Sequence, residues 1–347
     1  MTTASVPHGI DAAAVSQWFT RQIPEVELPL TFSLISGGHS NLSYRVLDSA
    51  NHRYVLRRPP LAMLMPSAHD VLRESRVMSS LWNTAVPVPA VRGETRDESV
   101  TGAPFFVMDH VDGVVLRDPA EVEEHVPEAS RGGLALQLVE TLAQLHAVEP
   151  ADVGLSDLGR GSGYLRRQLR RWRSQWDGWK TRELDSVERV EAWLKDNIAE
   201  RDEVTIVHGD FRLDNTIVDQ KTDIAAVLDW ELCTLGDPLA DLGVMLAYWI
   251  DPGAEPIPHL SAATTLRGFP TRSDLVTGYA QASGRDVSSI DLYLAFAYWK
   301  IAIVLEGVYA RYRSGAFGDE HEDFEDIKAA ADRLAAQADS IGPGVGS

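Results

Sequence analysis

A single cysteine, Cys233, stands in 347 residues, which excludes an internal disulfide framework and suits a reducing compartment. Positive charge is also scarce. Thirty-two Lys and Arg face 51 Asp and Glu, a net charge of −19, and nucleic acid, which demands a basic face, is excluded as a partner. No lysine at all precedes Lys180. The N-terminal stretch from Met1 to Val15 lacks both a basic start and a sustained apolar run, so no signal peptide is expected there. Long apolar runs are missing as well. The longest windows, near 239–250 and 292–305, are interrupted by Asp241 and Lys300 and read as core helices too short to span a bilayer. These absences leave a cytoplasmic protein with no membrane partner.

What is present is long enough for two lobes with separate cores. Residues 1–112 carry nine basic against eleven acidic side chains, and the remainder 23 against 40, so the negative field belongs to the second part. Asp11 to Arg21 reads as a short amphipathic helix capped by Asp11. Phe32–Ile35, Leu42–Leu47, Tyr54–Leu56 and Phe105–Met108 read as strands, with an extended segment opening at Val86–Pro89 and a helix over 68–82. Beyond residue 112 the periodicity turns helical: 134–146, 164–179, 187–198, 239–250, 274–282, 290–312 and 323–336. The fold class that follows is α+β. The expected divisions are an N-terminal helical segment (1–29), a small antiparallel β lobe with its connecting strand (30–112), a large helical lobe (113–340) and a disordered tail (341–347), with a cleft between the lobes.

Two short apolar runs break the helical series, and chemistry gathers at their ends. Val204–Val207 leads into His208-Gly209-Asp210-Phe211-Arg212-Leu213-Asp214-Asn215, and Ile224–Leu228 leads into Asp229-Trp230-Glu231. An Asp five residues before an Asn, with a second Asp at the end of another strand, is the spacing phosphoryl transfer uses. One carboxylate receives the proton of an acceptor hydroxyl, and the other two oxygens ligate a magnesium ion. Asp210 is therefore the candidate base, and Asn215 and Asp229 are the candidate metal ligands. Arg212 is placed to reach the transferred phosphate. His208 sits at the strand end, and Asp237 and Asp241 read as loop anchors and helix caps.

These motifs, followed by Gly236-Asp237-Pro238 and Asp241-Leu242, resemble the aminoglycoside phosphotransferase family. The closer likeness is to kinase-like domains fused to acyl-CoA dehydrogenases and to actinobacterial phosphotransferases. The resemblance runs from about Ser33 to about Tyr312. It implies a protein-kinase-like two-lobe fold and a small-molecule kinase using ATP, with GTP as the alternative, and Mg2+. Trp230-Glu231 stands where protein kinases have Phe-Gly, and no activation-loop ending follows, which favours a small-molecule acceptor over a protein.

Within that resemblance the first lobe acquires candidates. Gly37, Gly38, His39, Ser40 and Asn41 form a turn between strands that can lay backbone N–H groups over phosphates, although alone it reads as an ordinary hairpin turn. The cation that holds the phosphates must be an arginine. Strand alternation puts Val55 and Arg57 on one face and Tyr54, Leu56 and Arg58 on the other, so Arg57 is chosen, with Glu74 as its helical partner. Met108, Asp109 and Val111 resemble the kinase hinge, or form a plain connecting strand. Glu231 is a secondary candidate, for a water-mediated metal contact, an acceptor contact or a structural hydrogen bond.

On the acceptor side, Arg160 to Arg173 contains six arginines and no carboxylate. Leu165, Leu169, Trp172, Trp176 and Trp179 form a stripe for the core, while Arg166 and Arg170 edge it. Either this is a solvated basic face or it walls a pocket for an anionic acceptor. Three readings result: a kinase of a hydroxyacyl compound or other anionic metabolite, an aminoglycoside kinase, or a nucleotide-binding scaffold without catalysis.

Overall fold

The computed structural model describes residues 6–35, 41–61, 70–199, 203–314 and 324–342. The candidates Gly37, Gly38, His39 and Ser40, the expected helix start at 68–69 and the end of the expected tail lie outside the described residues. The chain divides into two compact units, Met1–Gly113 with Ala225–Cys233, and Val114–Ile224 with Thr234–Ser347. Sequence alone assigned 225–233 to the helical lobe. The structure groups this segment with the first unit, because its side chains and backbone bond to Arg57 and to the helix carrying Glu74.

The first unit is a five-stranded antiparallel sheet flanked by two helices. Its elements are α1 (Ala12–Gln22), β1 (Thr31–Leu34), β2 (Leu42–Leu47), β3 (Arg53–Arg58), α2 (Val71–Leu81), β4 (Val91–Thr95) and β5 (Phe105–Asp109), in sheet order β1-β2-β3-β5-β4. Asp11 caps α1, accepting from the N–H groups of Ala13 and Ala14, as its position before the helix requires. The helix then lays Val15, Trp18 and Phe19 onto Tyr44, Val46, Tyr54, Leu56, Phe105 and Val107 of the sheet. The period-two alternation of β3 sorts its side chains. Leu56 and Arg58 turn into the unit, and Arg58 is only 4% exposed.

Arg58 survives burial because its guanidinium donates to the carbonyls of Gly9 and Thr101, each at 2.6 Å. Removing it strands both acceptors. Arg58→Ala is therefore expected to lower unfolding free energy by about 3 kcal/mol, from two hydrogen bonds to a charged donor. Urea denaturation with an unchanged slope checks this; a loss below about 1 kcal/mol would mean the carbonyls find other donors.

The second unit is mainly helical. It contains α3 (Pro119–His125), α4 (Glu128–Ala147), α5 (Tyr164–Trp179), α6 (Asp185–Asn197), β6 (Thr205–Val207) and β7 (Thr216–Val218). The chain passes through β8 (Ile224–Val227) into the first unit and returns with β9 (Thr234–Gly236). There follow α7 (Pro238–Tyr248), α8 (Arg272–Ser283), α9 (Ile290–Arg313) and α10 (Phe324–Ile341). β6 pairs antiparallel with β9, which sets Thr205 opposite Gly236, just before α7, and Val207 opposite Thr234. Asp237 caps α7 with Pro238 in its first turn, and a capping box of Thr271 and Asp274 opens α8.

Three expectations need correction. The seven-residue α3, opened by Asp118 and Pro119, was not anticipated; it is too short to show a helical period. Ile341 closes α10 instead of beginning a disordered tail. The apolar window at 292–305 belongs to the 24-residue α9, which by length and composition could cross a membrane. Two-thirds of its apolar window is nonetheless buried inside the fold, where α9 meets α5, α6, α7 and α10.

Candidate active site

In the first unit, Arg57 joins two segments far apart in sequence. Its Nε lies 2.9 Å from Glu74 Oε2, and its Nη2 lies 2.6 Å from Asp229 Oδ1. Glu74 is 2% exposed, and burial pushes its pKa up to about 7 against the pull of Arg57. Burial also works against the charge of Arg57, but Glu74 and Asp229 outweigh it and raise its pKa. Glu231 adds a third carboxylate and accepts from Asn41 Nδ2 at 3.2 Å. One guanidinium thus pairs with two carboxylates and lies in the field of a third.

Asp229 itself is held in the left-handed region, at φ 66°. A non-glycine residue pays about 1–3 kcal/mol there. The indole of buried Trp230 fixes the turn by donating to the carbonyl of Val227 at 3.0 Å. Strain retained at this position points to a functional carboxylate.

In the second unit, β6 delivers the loop that starts at His208. Gly209 has φ +87°, a conformation that favours glycine, and this turns the backbone N–H groups of His208 and Gly209 onto the Asp241 carboxylate of α7. The His208 ring accepts from the Asp210 N–H at 3.2 Å, so it braces the loop from within. Asp210 Oδ2 then accepts from Asn215 Nδ2 at 2.9 Å and from Arg212 Nε at 3.2 Å. Arg212 also pairs with Asp214 at 2.7 Å and lies over the Tyr248 ring. Against burial, Asp210 and Asp214 raise its pKa and keep it charged.

The Asn215 amide nitrogen is committed to Asp210, which leaves its Oδ1 as the free ligand atom. Among the described residues no group of three or more His, Cys, Asp or Glu is gathered to hold a metal. Only single hard oxygens, Asn215 Oδ1 and the Asp229 carboxylate, are offered. Each, in its own unit, is the kind of hard oxygen that magnesium takes, since that ion uses one or two protein oxygens and completes its shell with water and phosphate. A closed structural zinc site is not what these residues build.

The remaining candidates fall as follows. Val55 pairs with Met108 across β3 and β5, and both are buried. The N–H groups of Asp109 and His110 are used by Ala90 and Arg53, whereas that of Val111 has no acceptor among the described residues. Arg166 is spent on the carbonyls of Lys195 and Ile198, at the end of α6. Arg167 bonds to the carbonyls of Arg160, Gly161 and Ser162, and Arg173 to Asp177, Glu188 and Glu191. Arg170 is exposed. Most of the arginine helix therefore works as structural glue. Two further residues stand close to the loop. Lys300 of α9 donates to the carbonyl of Gly209 at 3.2 Å, and His146 of α4 reaches Asp241.

His146 is buried, with its rings's two nitrogens on Tyr279 (2.7 Å) and Asp241 (3.4 Å). Burial pulls its pKa below the usual histidine value, with the Asp241 hydrogen bond opposing. The unfolded chain takes up this proton near pH 6.5, as a free histidine does, and the folded chain only at lower pH, so stability falls as pH drops below about 6.5. Glu74 acts in the opposite direction over the same range, because its raised pKa lets the folded chain bind the proton first. Comparing His146→Gln with the parent isolates the histidine. Between about pH 6.5 and 5 the parent should lose up to about 1.4 kcal/mol per pH unit relative to the variant. Parallel stability curves would show that His146 does not stay neutral in the fold.

A small antiparallel sheet unit, a helical unit and an Asp–Asn loop after a short strand define a kinase-like phosphotransferase. The chain belongs to the phosphotransferase enzyme family, whose family model matches residues 31–275. Acyl-CoA dehydrogenase family member 11 of Gallus gallus is 34% identical over 339 residues, covering 94% of this chain and 43% of that protein. The chain thus spans about two-fifths of that relative, and the likeness to acyl-CoA-dehydrogenase-linked kinase domains read from the motifs is borne out. A candidate aminoglycoside phosphotransferase from Ralstonia eutropha JMP134 superimposes with a TM-score of 0.81 at 30% identity, covering 95% of this chain and 98% of that one. The GDP and kanamycin complex of APH(2")-IIIa shares the fold, with a TM-score of 0.61 at 16% identity over 93% and 97% of the two chains.

Proposed function

We propose that the protein is an ATP- and magnesium-dependent kinase of a hydroxyl group on an anionic small molecule, with hydroxyacyl compounds as the leading class. The observation that carries this reading is the Asp210 carboxylate. It is partly exposed, and Asn215 and Arg212 hold it at the tip of a loop pinned from below by Asp241. In this reading Asp210 takes the proton of the acceptor hydroxyl as that oxygen bonds to the γ-phosphorus and the bond to departing ADP breaks. Arg212 offsets charge on the transferred group, and Arg57 holds the nucleotide phosphates. Val55 and Met108 pack on the base, with the Val111 N–H as donor at its edge. Magnesium, held by Asn215 Oδ1 and Asp229, would neutralise the phosphate charge. The lone buried cysteine suits the cytoplasm.

The test is a mass-spectrometric screen in which the protein, ATP and magnesium meet a panel of hydroxy acids, hydroxyacyl thioesters and aminoglycosides. A phosphoryl gain on the anionic members supports the reading. A second reading, an aminoglycoside kinase, is favoured by the acidic second part of the chain and by the kanamycin complex of a fold relative. Phosphorylation confined to the aminoglycosides would establish it in place of the first.

A further inference from the structure

Lys300 occupies an unusual place for its charge. It lies near the middle of α9, between Trp299 and Ile301, both in the core. The other interior charge of that helix, Glu306, is satisfied by Thr181 and Arg182. Lys300 has no carboxylate within ion-pair distance among the described residues, and its one hydrogen bond goes to the Gly209 carbonyl at 3.2 Å. Its ammonium sits 5.5 Å from the centre of the Trp172 ring. Trp172 in turn has a buried indole Nε1 without a partner. Two donors next to one another, an ammonium with N–H bonds to spare and an orphaned indole N–H, both want an oxygen. The indole N–H is buried, and a buried donor left unmade is costly.

Two donors, one of them cationic, call for an oxygen that carries negative charge. Burial pulls the Lys300 pKa below the usual lysine value; Asp210 and Asp241 oppose it, and Arg171 and Arg212 add a smaller repulsion. Arg171 also lies over Trp172. Two cations, Arg171 and Lys300, thus lie over the Trp172 ring, and Lys300 also reaches the Gly209–Asp210 loop.

We propose that Lys300 and the Trp172 indole N–H form the acceptor subsite, and that they receive the anionic group of a hydroxyl-bearing acceptor. This rests on the reading of the protein as a kinase of anionic hydroxyl compounds, and narrows it. Because Lys300 bonds to the residue that precedes Asp210, the anion must lie only a few bonds from the reacting hydroxyl. The class is then short hydroxy acids or phosphorylated alcohols, in which carboxylate or phosphate neighbours the alcohol.

The experiment measures turnover of lactate, glycerol phosphate, methyl lactate and kanamycin by the parent, Lys300→Met and Lys300→Arg. The parent should prefer one of the two anions, and which one tells carboxylate from phosphate. Lys300→Met should raise KM for that anion by about tenfold or more, the loss expected of one charge-assisted hydrogen bond. KM for ATP and for methyl lactate should stay within about twofold. Lys300→Arg should keep the preference for the anion. The melting temperature of Lys300→Met should stay close to that of the parent, since the substitution breaks one hydrogen bond and no ion pair among the described residues. A parent that prefers the anions, with a variant that loses only kcat or loses all acceptors equally, would overturn the subsite and make Lys300 a support of the loop. A parent indifferent to the anions would overturn the proposed acceptor class and the subsite with it.

Discussion

Asp210→Asn is expected to lower kcat for phosphoryl transfer by about 10²–10⁴-fold, the range that a positioned general base contributes, and to leave the melting temperature nearly unchanged. The reason lies in which contacts the substitution keeps. Arg212 Nε and Asn215 Nδ2 both donate to a single oxygen, Oδ2, and an asparagine oxygen can take that place. Arg212 retains Asp214 at 2.7 Å, and the loop retains its anchor on Asp241. What disappears is the capacity to accept a proton, because a carboxamide is not a base at this pH. ADP release in the presence of acceptor, with a thermal melt in parallel, separates the two effects. More than about a tenth of parental kcat/KM remaining, a loss of only ~1.4 kcal/mol, would remove Asp210 from the role of base. The same measurement decides against a non-catalytic scaffold, in which turnover would be absent from the parent too.

Local physics made most of the fold legible in the sequence. The bounds of β2 and α5 follow directly from period-two and helical patterning, and Asp11 and Pro238 mark their helix starts as capping chemistry requires. Alternation within β3 separated Arg57 from Arg58, and the structure gives one to Glu74 and Asp229 and the other to backbone carbonyls. Less was legible where meaning depends on distant partners. A helical period says which edge of α5 carries Arg166, yet not that the carbonyl of Ile198 waits for it 32 residues on. Lys300 read as an interruption of an apolar run, since nothing nearby in sequence shows that Gly209 and Trp172 lie against it. Segment 225–233 looked like part of the helical lobe because its neighbours are. The ion pair of Asp229 with Arg57, 172 residues earlier, and the bonds of Val227 to Pro87 and of Trp230 to Glu74 explain its grouping with the first unit.

Asp241→Ala should cost the protein about 3–5 kcal/mol of stability, the range seen when one partner of a buried charged network is removed. Asp241 is 1% exposed, and three groups converge on it. The N–H groups of His208 and Gly209 donate to its two oxygens, and His146 approaches at 3.4 Å. Burial alone would push its pKa up. His146, His208 and the Gly209 N–H outweigh burial and hold it below the usual aspartate range. The carboxylate is therefore stabilised in the fold, and its contribution is full above about pH 4 and is lost as pH falls through the lower folded value. Alanine leaves two buried N–H groups without acceptors, each costing about 1–3 kcal/mol, and a cavity besides. Asparagine keeps one oxygen but turns an N–H₂ toward one of the donors, so its cost should fall between parent and alanine. Urea denaturation at neutral pH should give that order, with unchanged slopes. Because the same two N–H groups set the path of the backbone into Asp210, both variants should also lose kcat while folded. An alanine variant within about 1 kcal/mol of the parent would mean that water replaces the carboxylate, and that the loop holds its course without α7.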